Sequence, residues 1–322
     1  MFTRRHMLMM TGATALLPML PSAVLAQQMK QLRLFVPAAP GGGWDQTART
    51  MEQVMRGANL IGSAQVTNVG GAGGTVGLPQ FINQWKGQGD GLMVSGLVMM
   101  GAIIANKTPF NLTNVTAIAR LTGEAEVIVV PKESPLKTMK DLAAALKADV
   151  AKVTWAGGSA GGTDHIIAAL VAQAVGADPT KISYVAYAGG GPAQAALLGN
   201  QVTCGISGLG EFIEQIKAGN LRAIGISSDK RIPGLDIPTF KEQGVDVEFF
   251  NWRGVFAPPG ISAQQKKDMI DLVTAMVNSQ GWQDELKKRD WTNIFLAGDG
   301  FDAFIKTETA RVTDTLNKIG LA

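Results

Sequence analysis

The chain has 322 residues, with 29 Lys and Arg against 26 Asp and Glu and a formal net charge of +3. Charge this scattered and balanced leaves no electrostatic footprint for nucleic acid, and a single cysteine, Cys204, excludes an intramolecular disulfide. With two histidines, a zinc site would have to rest on carboxylates, so neither a metal nor a cofactor is expected.

Residues 1–26 read as a signal peptide. Arg4 and Arg5 precede an uncharged, mostly apolar run from Met7 to Ala26, and Val24-Leu25-Ala26-Gln27 suits cleavage after Ala26. Thr3-Arg4-Arg5-His6-Met7-Leu8 resembles a twin-arginine export signal, although paired arginines also fit the general secretory route. The alternative is an uncleaved anchor, since the run is about long enough to span a bilayer; Pro18, Pro21 and the small residues before Gln27 favour cleavage. No cysteine lies near the cleavage point for lipid attachment, so a free periplasmic protein of near-neutral charge is expected.

Strand-length apolar runs then alternate with helical patterns. A strand over 32–36 precedes a helix over 44–56, a strand over 64–69 precedes a helix over 75–85, and a strand over 92–97 follows. The run 127–130 ends at Pro131, and Lys132-Glu133-Ser134-Pro135 reads as a crossover. The second series runs through helix 139–146, strand 152–156, helix 164–175, strand 182–187, helix 192–198 and strands 202–207 and 221–226. It ends near Trp252, after which a helix over 262–278 and a last helix carrying Phe301, Phe304, Ile305, Val312, Leu316 and Ile319 return to the first part. This rhythm defines an α/β protein of parallel βαβ units. The expected division is residues 27–131 plus 253–322 for lobe 1 and 132–252 for lobe 2, joined by two crossings with a cleft between them.

Four glycine-rich turns sit where a strand ends and a helix begins: Pro40 to Asp45, Gly70 to Thr75, Gly157 to Thr163 and Ala188 to Pro192. Such turns offer unpaired N–H groups and close backbone approach, which suits a carboxylate or phosphate. None contains Lys or Arg, so an anion there would be held by amides and hydroxyls. Asp45 reads as a cap that pairs with Arg49 one turn on. Trp155 and Trp252 read as core, whereas Trp44, inside a turn, is a candidate wall of the cleft.

Gly157-Gly158-Ser159-Ala160-Gly161 also fits the Gly-x-Ser-x-Gly nucleophile elbow, which keeps a secreted serine hydrolase using Ser159 as the rival. A triad needs a distant histidine, and the mature chain offers only His165, six residues on. Gly71 to Gly77 misses the register of a dinucleotide fingerprint by one residue.

Taken together, Pro37 to Asp45 with Ala48-Arg49, Asn68 to Gly74, Gly157 to His165, Tyr187 to Ala193 and Trp252 to Gly260 resemble the solute receptors of tripartite tricarboxylate transporters, the Bug receptor family. The resemblance implies a two-lobed periplasmic-binding-protein fold, type II-like, that closes on a small di- or tricarboxylate as a monomer and delivers it to a membrane permease. It places the ligand-binding residues at Ala38, Gly42, Gly43, Trp44, Asp45, Gly71, Ala72 and Gly73 in the first lobe. In the second they fall at Ser159, Gly161, Gly162, Thr163, Ala188, Gly189, Gly190 and Ser207. Ala188 stands where a Lys is common, and Gly161-Gly162-Thr163-Asp164 where many members have more Ser or Thr. The Gly-Trp-Asp and Gly-Gly-Thr-Asp-His runs look closer to the tricarboxylate-binding branch.

Overall fold

The computed structural model describes residues 29–322; the signal-peptide reading lies outside the described residues. Strand β1 (Met29–Val36) leads into helix α1 (Gly43–Gly57), β2 (Ile61–Asn68), α2 (Gly77–Gln84) and β3 (Gly91–Gly96). The three strands are parallel, with Leu34 opposite Val66 and Leu92. α1 buries Ala48, Met51, Val54 and Met55, the stripe that its helical spacing predicts.

Helix α3 (Leu97–Ala105) follows β3 directly and was not anticipated, because Leu97-Val98-Met99-Met100-Gly101-Ala102-Ile103-Ile104 is apolar on every face. An all-round apolar helix has no 3.6-residue signature and is simply buried. β4 (Thr116–Pro131) is sixteen residues long, far beyond the four read from sequence. The second series is α4 (Met139–Ala148), β5 (Thr154–Gly157), α5 (Thr163–Ala174), β6 (Ser183–Ala186), α6 (Gly190–Leu198), β7 (Cys204–Gly208), α7 (Leu209–Lys217) and β8 (Leu221–Ile226). It closes with β9 (Phe250–Ala257), α8 (Ala263–Val277), α9 (Gln280–Lys288), β10 (Thr292–Ala297) and α10 (Asp299–Lys318).

The strands form one curled sheet in the order β2-β1-β3-β9-β4-β7-β5-β6, with β8 and β10 also paired to β4. β4 changes partners along its length. Residues 116–125 pair with β9 and 119–123 with β10, whereas 126–129 pair with β7 and 127–131 with β8. The C-terminal helix packs on α3 and β4.

Because successive residues of a strand face opposite sides, Glu124 and Glu126 share one face of β4. Asn251 pairs with Glu124 across the ladder and Arg253 with Thr122, so these two lie on that same face. The antiparallel ribbon of β4 and β9 therefore carries two acids, an amide and a guanidinium into the interior. All four are at most 8 % exposed.

Candidate ligand-binding site

The glycine turns come together above this ribbon. The first two touch: Asn68 Nδ2 donates to the Ala38 carbonyl at 3.2 Å and to Asp45 Oδ1 at 3.0 Å, and a Cβ on Gly70 would stand 3.1 Å from the Ala39 nitrogen. Gly71, Gly73 and Gly74 have positive φ, which glycine tolerates readily, and Ala72 between them is held in the left-handed region as well. It brings Gly73 to 3.6 Å from the Ser159 Cβ, measured from the Cβ that Gly73 lacks, so the second turn meets the third across the two parts of the sheet. The third and fourth turns are tied by Tyr187 N–H donating to the Gly157 carbonyl at 2.8 Å and by Tyr184 Oη donating to the Gly158 carbonyl at 2.9 Å.

One amide in each of three of these turns, and one at the start of α7, is spent on the protein's own carboxylates. Asp45 accepts from Gly41 N–H at 2.8 Å and pairs with Arg49 at 2.9 Å; the pairing is the one read from sequence, while the helix N-cap is Gly42, with no side-chain cap. Burial works to raise its pKa, but the bonds from Arg49, Gly41 and Asn68 prevail and hold it below the ordinary range. Asp164 accepts from Gly158 N–H at 2.7 Å, and Glu124 accepts from Gly210 N–H at 3.2 Å at the start of α7. Glu211 takes the Ser207 hydroxyl at 2.5 Å and is steadied by Gly190 N–H.

Of the expected ligand residues, Gly71, Ala72 and Ala188 are exposed, and Ala38, Gly42, Gly43, Ser159 and Gly189 are half-buried. Trp44, Asp45, Gly73, Gly161, Gly162, Thr163, Gly190 and Ser207 are buried. Trp44 is core, its ring close enough to Gly74 that a Cβ there would stand 2.8 Å from Cζ3. Trp155 and Trp252 are core as well, and burial pushes the Cys204 thiol well up.

Four residues that the sequence reading left out form the floor: Glu124, Glu126, Glu211 and Arg253. The guanidinium of Arg253 is buried, bonded to Glu124 Oε2, and lies against Gly43 at the start of α1, where a Cβ would meet Nη2 at 2.5 Å. The signal was present in Gly123-Glu124-Ala125-Glu126-Val127, two acids at strand spacing entering an apolar run. Burial raises Glu126 strongly, with Asp164, Glu124 and Glu211 adding repulsion. Burial likewise raises Asp164 to about 7, while the Gly158 amide pulls back. Glu211 is raised by burial and by Glu124.

His165 stacks on Tyr184 with ring centroids 4.1 Å apart, and its Nδ1 accepts from Gly161 N–H at 3.1 Å. Burial lowers its pKa to about 4, so it is a neutral imidazole holding the third turn in shape. A groove of about 620 Å³ lined by Pro135, Ala145, Asp149 and Asn200 lies away from all four turns.

A curled α/β sheet of two lobes, with the long strand β4 shared between its parts, defines a solute-binding protein of the periplasmic type. Residues 48–321 match the tripartite tricarboxylate transporter family receptor, and the chain belongs to that family. It is 30 % identical over 268 residues to a UPF0065 protein from the TAR-I ttuE-ttuC' intergenic region of Agrobacterium vitis, covering 81 % of this chain and 75 % of that one. A ligand-free TctC solute-binding protein from Polaromonas is 25 % identical with a TM-score of 0.67, covering 90 % of this chain and 98 % of that one. MatC of Rhodopseudomonas palustris, solved with bound malate, shares the fold at 22 % identity and a TM-score of 0.76, covering 89 % and 99 %.

Proposed function

We propose that this protein is an exported periplasmic receptor that binds a small di- or tricarboxylate between its lobes and delivers it to a membrane permease of the tripartite tricarboxylate type. It acts as a monomer and is not an enzyme. The observation that carries this reading is the approach of Gly73 to Ser159, which brings the second glycine turn against the third. Thr163 Oγ1 and Arg253 Nε are buried without partners, and each is a donor of the kind that a carboxylate accepts from. The malate held by the MatC relative supports the same class of ligand. The lobes are residues 27–131 plus 253–322 and 132–252, with β4 and β9 as the two crossings. A thermal-shift screen of di- and tricarboxylates tests the proposal: a ligand at 100 times its dissociation constant adds roughly 2.7 kcal/mol to the native state, and a flat screen would refute it.

The hydrolase reading loses its base, because His165 Nδ1 is engaged by the Gly161 amide and Asp164 by the Gly158 amide. Treatment with a serine-directed phosphonate should leave the mass unchanged; a stoichiometric adduct on Ser159 would restore the hydrolase. As a receptor group the Ser159 hydroxyl donates to the bound carboxylate, and Ser159→Ala should weaken binding by roughly 1.5 to 3 kcal/mol, about ten- to a hundred-fold.

A further inference from the structure

The third turn is where the two parts of the molecule meet. Gly73 approaches Ser159, and the Gly161 carbonyl seats on α3, where a Cβ on Gly101 would overlap it. Three side chains fix the shape of this turn. Asp164 accepts from Gly158 N–H, Tyr184 Oη donates to the Gly158 carbonyl, and His165 Nδ1 accepts from Gly161 N–H at 3.1 Å. Imidazole and phenol are stacked on each other, so the two ends of the turn are held as one unit.

An imidazole accepts at Nδ1 only when it is neutral, with its proton on Nε2. Protonation places an N–H on both nitrogens and sets Nδ1–H against Gly161 N–H, donor against donor. Little around the helix would offset that loss. Asp164 is turned to Gly158, with Glu124, Glu126, Glu211 and Arg253 acting behind it, and Tyr184 on β6 is a neutral phenol. Lys181, in the short turn Pro179–Lys181 packed on α5, pairs with Asp178 at 3.3 Å. α3 and β5 carry no charge, and β7 has only the buried Cys204.

We propose that His165 is a positioning residue for ligand binding and an acid-sensitive latch. Neutral, it holds the third turn in the shape that presents Ser159 and docks on α3; protonated, it frees the turn, and the ligand leaves. The last step rests on the receptor reading.

Two measurements on the mature protein test this. The chain's other histidine, His6, lies in the segment read as a signal peptide, so the imidazole resonances belong to His165. In nuclear magnetic resonance its nitrogen shifts should show the Nε2–H tautomer at neutral pH. The amides of Ser159, Gly161 and Gly101 should then shift with the midpoint of His165, about 4, well apart from Asp164 at about 7. In calorimetry, malate, succinate and citrate are titrated into the wild type, His165→Asn and His165→Leu. Asn keeps an acceptor oxygen near the Nδ1 position and takes no proton. It should match the wild type at neutral pH and bind about tenfold tighter one pH unit below the midpoint, whereas His165→Leu should lose about tenfold at neutral pH. Comparing proteins at equal pH cancels the protonation of the acids themselves. An identical acid response of wild type and His165→Asn, or turn amides that ignore the histidine midpoint, overturns the latch and leaves the receptor reading standing. If none of the three acids binds, the receptor reading falls and the amide midpoints alone decide the latch, as they also do if a variant does not fold.

Discussion

Asp164 and His165 are neighbours that titrate in opposite senses. The Asp164 carboxyl ionises near 3.8 in an unfolded chain but only near 7 in the fold, so between those values the native state holds a proton that the unfolded state has released. Its contribution is fully present below the lower value and is lost as pH rises toward 7. His165, lowered to about 4 from 6.5, works the other way across that window, its neutral form losing ground as pH falls. Comparing the wild type with Asp164→Asn isolates the first term, because Asn keeps an acceptor for the Gly158 amide. The variant should gain on the wild type from about pH 4 and level off above about pH 7. Chemical denaturation at a series of pH values reads this directly, and a pH-independent difference would contradict it. A second test at this scale concerns Gly190, where any Cβ would collide with the Glu211 carboxylate and crowd Ser207 Oγ at 2.8 Å. Gly190→Val should abolish binding by dislodging Glu211 while the fold persists. Arg253 and the acids were illegible as a site because the sequence shows which turns could accept an anion, not which anion takes them. Only the three-dimensional pairing reveals that Asp45, Asp164 and Glu211 are those anions, with Glu124 taking the amide of Gly210 at the start of α7.

At the scale of elements, α3 connects the two lobes. Its small residues face the third turn: a Cβ on Gly101 would overlap the Gly161 carbonyl, and one on Gly161 would stand 2.5 Å from the Ala105 Cβ. Gly101→Val should therefore prop the lobes apart, reducing ligand affinity at least about tenfold by penalising the closed state. Small-angle scattering should show the wild type contracting on ligand addition and the variant failing to do so; a normal contraction would show that α3 is no part of the closure. The alternating βαβ rhythm was readable because buried parallel strands are short apolar runs between amphipathic helices. α3 escaped for want of polar residues. Most of β4 escaped for the opposite reason, since Glu124 and Glu126 interrupt its apolar run at the point where it passes under the turns. α7, α9 and β10 were also unforeseen, being short and flanked by turns that read as loop.

At the scale of the whole molecule, the lobes are not independent bodies. β4 pairs with β9 and β10 in its first part and with β7 and β8 in its second, so one strand runs through the continuous sheet, and β9 lies between β3 and β4 in its middle. Unfolding should accordingly be a single cooperative transition with equal calorimetric and van't Hoff enthalpies. Two resolved transitions in a calorimetric scan would show that the lobes melt separately.

The place of β9 also has a consequence in time. Its neighbour β3 is complete at residue 96, yet β9 begins only at residue 250. A ribosome adding about 5 to 20 residues per second needs on the order of 8 to 30 s to cover that interval. Throughout it the N-terminal sheet has an open edge at β3 and cannot finish. The order in which the strands are made thus holds the early chain back from its native form until most of its length exists.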